Sequence, residues 1–292
     1  MKFIYLMKPK GLLGLIIICM CMHALLVSRA AAVGITADAG LTPPEGRWIL
    51  RTQIRYMQRV NDPTSLERNM KLYGFPLVLA YGIRSNLTLM VRQALMHREM
   101  SSVSSDRKDT GLGDLFILAK YKAYRINTRD YTFGIAPTLG LEFNTGEDPF
   151  TSGTSDLRLG LYSSWRSGPW GSDFNIVYSW NGFASDNEDN VNPGDEMSLD
   201  LAFAHQFNVY ENATRSLTPV LELSYRKISP DRMEEMDLPN SGESVMYVSP
   251  GIKFTASSII LEALVQIPVW QQQEDSQLER SVGVLGGVRF LF

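Results

Sequence analysis

From residue 47 to the end of the chain, apolar residues recur at every second position, a period that belongs to strands with two chemically different faces. Twelve segments carry it: 47–58, 72–83, 87–97, 113–125, 131–143, 155–166, 173–183, 196–207, 216–228, 244–255, 258–269 and 280–292. The fifth is the cleanest. It sets Tyr131, Phe133, Ile135, Pro137, Leu139, Leu141 and Phe143 on one face and Thr132, Gly134, Ala136, Thr138, Gly140, Glu142 and Asn144 on the other.

Half-buried strands of a soluble sandwich alternate in the same way, so the connections have to decide. The links after odd-numbered segments (59–71, 98–112, 144–154, 184–195, 229–243, 270–279) are long, and those after even-numbered ones (84–86, 126–130, 167–172, 208–215, 256–257) are shorter. Long and short links alternating over an even number of strands describe an all-β, transmembrane, antiparallel up-and-down β-barrel of about 12 strands. Both the N- and C-termini then lie in the periplasm. Trp48, Trp165, Tyr131 and Phe133 fall near the periplasmic ends and Tyr56, Tyr73, Phe75, Phe143 and Trp180 near the outer ends, as two aromatic girdles require. Trp270 falls on the polar phase unless Pro268 shifts the register.

Of the 292 residues, 28 are basic and 31 acidic, and both cysteines, Cys19 and Cys21, lie in the first 32. That stretch has a basic start (Lys2, Lys8, Lys10), an apolar run over 11–27 and Ala30, Ala31 and Ala32, the three regions of a secretory signal peptide. The apolar run is long, which leaves an uncleaved anchor as the second reading. Ile18 and Met20, which precede the cysteines, are too bulky for a lipoprotein cleavage site. Removal of 1–32 leaves 260 residues with a net charge of −7 and no cysteine. This excludes disulfide scaffolds and thiolate metal sites, and no nucleic-acid partner is expected. The remaining chain divides into residues 33–46, aperiodic and holding Pro43 and Pro44, and a barrel over 47–292. The first of these is a periplasmic lead-in or a plug in the lumen.

Tyr81 to Val91 (YGIRSNLTLMV), Thr110 to Tyr121 (TGLGDLFILAKY) and Gly134 to Glu147 (GIAPTLGLEFNTGE) resemble the outer-membrane family of MetA-pathway phenol-degradation transporters. The resemblance covers most of the mature chain and implies a barrel that passes small, often aromatic compounds. Read physically, Gly111 and Gly113 let the backbone turn into the fourth strand, where Asp114 can accept amide hydrogen bonds. The chain stops at Phe292 inside its last strand, which resembles the signal read by the bacterial barrel-assembly machinery.

With the apolar phase facing lipid, the other phase lines the lumen: Arg51, Gln53, Arg55, Arg92, Lys120, Lys122, Glu142, Arg158, Asn175, Asp200, Glu222, Arg226, Lys253, Glu262 and Gln266. A charged side chain facing hydrocarbon costs roughly 2–4 kcal/mol for Arg or Lys at the midplane, so an inward position is required of it. Mutual pairing across the barrel and solute selection are both open to these groups. On strands two to four the inward phase also carries Leu72, Pro76, Val78, Met90, Met96, Phe116 and Leu118, an apolar wall that either guides a solute or packs against 33–46.

The expected function is a monomeric outer-membrane channel for small molecules, hydrophobic or aromatic ones included, with no cofactor and no metal. Its partners would be outer-membrane lipid and lipopolysaccharide, the assembly machinery through Phe292, and the solute. Acidic outer loops (Asp186, Glu188, Asp189, Asp195, Glu196; Asp231, Glu234, Glu235, Asp237) are either solvated or cation-binding. The alternatives are a lipid hydrolase, for which His205 and His97 are weak candidates without a serine at the right spacing, and a structural or adhesive barrel without a through-pore.

Overall fold

The computed structural model describes residues 34–185, 191–209, 215–233, 236–273 and 276–292; the signal-peptide reading of 1–32 lies outside them. Twelve long strands make the wall: β1 (Trp48–Val60), β2 (Asn69–Arg84), β3 (Leu87–Ser101), β4 in three pieces (Asp106–Leu112, Leu115–Tyr121 and Tyr124–Asn127), β5 (Thr132–Phe143), β6 (Thr154–Ser167), β7 (Trp170–Ser185), β8 (Glu196–His205), β9 (Arg215–Ile228), β10 (Glu243–Ala256), β11 (Ile259–Gln273) and β12 (Gly283–Leu291). Each pairs antiparallel with the next, and β12 returns to β1 from Ile49↔Leu291 to Tyr56↔Val284, so the sheet closes. Closure leaves no strand edge unpaired, the condition for a sheet to cross a membrane. No helix among the described residues is long and apolar enough to do so.

The alternating sequence sorts into an outer and an inner surface. Leu77, Leu139, Leu221, Leu261 and Val284 are exposed on the outside of different strands, while their neighbours Pro76, Thr138, Glu222, Glu262 and Leu285 are buried within. A contiguous apolar belt of this extent far exceeds the few hundred Å² that water-soluble surfaces carry, and lipid is the solvent that suits it. Aromatic pairs mark both rims: Trp48 on Tyr81 (4.2 Å between centroids) at the tight-turn end and Tyr178 on Trp180 (4.6 Å) at the long-loop end.

Three departures from the sequence expectation have local causes. β3 and β4 continue as a hairpin from Leu95↔Leu112 to Ser101↔Asp106, so the expected link 98–112 is largely strand, and β4 starts at Asp106, not residue 113. Its polar sequence gave no alternation because beyond the membrane both faces are wet. At Gly113 and Asp114 the strand breaks, and the buried Asp114 carboxylate collects the backbone N–H groups of Thr145 (3.0 Å), Gly146 (2.8 Å) and Ser152 (2.8 Å), tying down the loop after β5. Finally, a register shift between Met246 and Tyr247 on β10, which face Trp270 and Pro268, leaves Val269 and Trp270 both on the outer surface. The irregularity restores Trp270 to the girdle.

Candidate functional site

Residues 34–46 run inside the barrel, held by wall side chains rather than by a sheet of their own. Gly34 N donates to Asp173 Oδ2 (2.9 Å), Asp38 N to Asn175 Oδ1 (2.8 Å) and Gly40 N to Ser164 Oγ (2.8 Å). Glu222 accepts from the backbone N–H groups of Ile35 and Thr36 and from the Thr36 hydroxyl. In the other direction Arg51 donates to Ile35 O, Lys120 Nζ to Ala39 O (2.9 Å) and Asn175 Nδ2 to Asp38 O (2.8 Å). Donors and acceptors therefore come from β1, β4, β6, β7 and β9. A segment without an apolar period has no strand or helix to pair its backbone, and wall side chains meet that need instead.

Glycines make room for the apolar residues of this segment. A Cβ on Gly251 would stand 2.8 Å from Ile35 Cδ1, and one on Gly134 2.7 Å from Leu41 Cδ2. Ile35 is fully buried and clusters with Ala204, Val220, Leu264 and Leu285. Glu262 sits beside this level, accepting from Arg51 Nε (2.7 Å), Gln53 Nε2 (2.6 Å) and Arg289 (3.1 Å).

A second level lies toward the long-loop end. Arg55 is four residues beyond Arg51 on β1, Phe116 four beyond Lys120 on β4, Arg158 six beyond Ser164 on β6, and Arg226 four beyond Glu222 on β9. At about 3.3 Å per residue this places them more than 10 Å further along their strands. Arg92 and Arg158 flank the Phe116 ring, with guanidinium carbons 4.6 and 4.8 Å from its centroid, and share Glu142 at 3.2 and 3.6 Å. The ring lies over Gly140, where a Cβ would meet it at 2.6 Å. Arg226 pairs with Glu196 (3.0 Å). Arg55 donates twice to Gln53 Oε1 (2.9 and 2.6 Å), and Asp200 makes neither a hydrogen bond nor an ion pair among the described residues.

The ten charged residues singled out from the sequence thus divide: Arg51, Lys120, Glu222 and Glu262 around residues 34–46, Arg55, Arg92, Glu142, Arg158 and Arg226 beyond them, and Asp200 on β8 in register with Asn175, which holds Asp38. Phe116 and Leu118 are buried as the apolar wall requires, but the arginines on Phe116 could not be inferred from β4 alone. Lys122 is half-buried in the gap between two pieces of β4 and donates to Ser85 O at the adjacent turn, the carbonyl that also accepts from Thr42 Oγ1.

Neither histidine sits in a hydrolytic arrangement. His205 lies between Trp170 and Phe207 (4.4 and 4.3 Å), and His97 bonds Thr110 Oγ1 (2.6 Å). Among the acidic loop residues, Asp195 accepts from Tyr178 OH (2.7 Å) and Asp231 from Gly194 N (2.9 Å), while Asp186, Glu188, Asp189, Glu234 and Glu235 lie outside the described residues. No group of three His, Cys, Asp or Glu suited to a metal ion occurs among the described residues.

A family model described as "Putative MetA-pathway of phenol degradation" matches residues 37–275. The chain belongs to this family. Among solved structures, the barrel is similar to an outer membrane channel from Pseudomonas putida F1, at 14% identity and a TM-score of 0.68, over 90% of this chain and 100% of that one. The β domain of the Bordetella autotransporter BrkA aligns less well, at 12% identity and a TM-score of 0.48, over 85% of this chain and 100% of that one. No curated protein matches the chain. The protein has the closed antiparallel fold of an outer-membrane barrel.

Proposed function

We propose that the protein is a channel for small molecules, aromatic ones included, whose lumen is narrowed by its own residues 33–46 acting as a plug. The observation that carries this reading is the hydrogen-bonded course of residues 34–46 between five wall strands. Twelve strands fall between the roughly eight whose interior side chains fill and the 16 or more that leave a wide aqueous channel. A single extended segment is therefore enough to constrict the path. The family description and the Pseudomonas putida channel support passage of a solute, and the short turns support a periplasmic position for both termini. Export through residues 1–32, assembly through Phe292 and contact with lipopolysaccharide complete the reading.

The second reading, a structural barrel with no through-path, draws on the same closure. Planar-bilayer recording of the full mature chain separates them: discrete single-channel steps are expected of a channel, and a silent, correctly folded barrel would favour the structural reading.

A further inference from the structure

The two levels of the lumen differ in how their charges are matched. Around residues 34–46 every cation named above has an acceptor, either Glu262 or a backbone carbonyl. Beyond them, Arg92 and Arg158 on β3 and β6 share a single carboxylate, Glu142, while Arg55 on β1 donates only to Gln53 Oε1 and has no carboxylate in ion-pair contact among the described residues. The charges of Arg51, Arg92 and Arg226 act on Arg55, opposed by that of Glu262. Across the lumen β8 and β9 hold the opposite balance, with Glu196 and Asp200 against Arg226.

Three half-buried guanidiniums that outnumber their carboxylates leave net positive charge, and such a group persists most readily where an anion can approach it. Guanidinium also matches a carboxylate in shape, offering two parallel N–H donors to two oxygens. With Arg92 and Arg158 fixed against Phe116, their planes are held in place, and a flat organic group can stack on their free faces. Beside Arg55 on β2, Gly74 carries no side chain, and the Met96 thioether packs over it, 3.4 Å from where a Cβ would stand.

We infer that the level formed by Arg55, Arg92 and Arg158 is a binding subsite for a small organic carboxylate entering from the long-loop end, with Asp200 on β8 as an opposing charge elsewhere in the lumen. This rests on the channel reading and narrows its solute class: a carboxylate is drawn to the arginine wall, a neutral isostere is passed without preference, and an organic cation is disfavoured.

The test uses three probes of one shape and different charge, namely benzoate, benzamide and benzamidinium, in liposomes holding the full mature chain. Rates are taken net of protein-free liposomes at a pH where benzoate is ionised. Benzoate is expected to enter about tenfold faster than benzamide, the ratio that one charge-assisted hydrogen-bonded pair supplies. In the double variant Arg55→Gln, Arg92→Gln the benzoate rate should fall to that of benzamide while the benzamide rate stays put. Asp200→Asn, which removes the opposing charge without touching the arginines, should raise benzoate entry two- to threefold and leave benzamide unchanged. Equal benzoate and benzamide rates in the parent protein, or an equal fall of both in the double variant, would overturn the carboxylate subsite while leaving the channel intact. Passage of none of the three probes would overturn the channel reading as well.

Discussion

The two levels of the lumen are built from the same residue types and end in different states. Around residues 34–46, Glu222 and Asp173 are almost fully buried, and each accepts several hydrogen bonds; Asp173 takes Arg166 (2.5 Å) and Ser164 (2.6 Å) as well as Gly34 N. Beyond them the side chains of Arg92, Arg158 and Glu142 remain 34, 26 and 22% exposed. A buried charge is tolerated only with its hydrogen bonds complete, whereas a wet one can stay under-paired and available. The contrast teaches that an inward-facing charge says little until its partners are known: the same phase of the same strands supplies a clasp at one height and an open charge at another.

The sharpest way to break this comparison is to delete residues 33–46. Single-channel conductance is expected to rise severalfold, and an unchanged conductance would mean that the clasp closes nothing. Next in size is Glu222→Gln. It replaces a carboxylate that accepts from two backbone amides and a hydroxyl with a group that presents its own donors, at a cost of about 1–3 kcal/mol for each donor left unmatched. Current traces should then flicker between the parent level and a higher one; a steady parent level would place the hold elsewhere in the clasp.

A smaller effect is expected from Asp114→Asn, which keeps the shape but weakens a carboxylate serving Thr145, Gly146 and Ser152. The loop over 144–153 should become more open to proteolysis at a cost of about 1–2 kcal/mol, with conductance noise rising if that loop borders the mouth.

The least effect concerns acid. In the projecting hairpin, Lys108 holds the Glu99 carboxyl below its usual range, and Arg98 with Arg107 does the same for Asp109. A carboxyl whose folded value is depressed contributes above its unfolded value and loses that contribution as the pH falls through the folded one. Amide protection over 99–109, corrected for intrinsic exchange, should therefore hold from neutral pH through the usual carboxylate range and drop only in stronger acid. These pairs are exposed, so the drop is small. Loss of protection near pH 6 would show that the pairs do not hold the hairpin.

The barrel was legible because each strand within the membrane must show lipid one face and the lumen the other. The inward phase of each strand follows from the same constraint. What the alternation missed lies where that constraint lapses. The stretch 106–112 is strand without pattern above the membrane, and Trp270 changes side through a shift in register that only the partner strand reveals. The course of residues 34–46 carried no period because its partners are side chains on five distant strands, and the arginines flanking Phe116 come from β3 and β6.

One consequence concerns the order in which the molecule is completed. Residues 34–46 precede every strand in synthesis, yet the groups that receive them sit on β1, β4, β6, β7 and β9 and converge only after the ring has curled. A stretch made before any strand is thus the last to settle. Until then its amides must find water or a chaperone, and docking of this leading tail serves as a built-in check that the circle has joined.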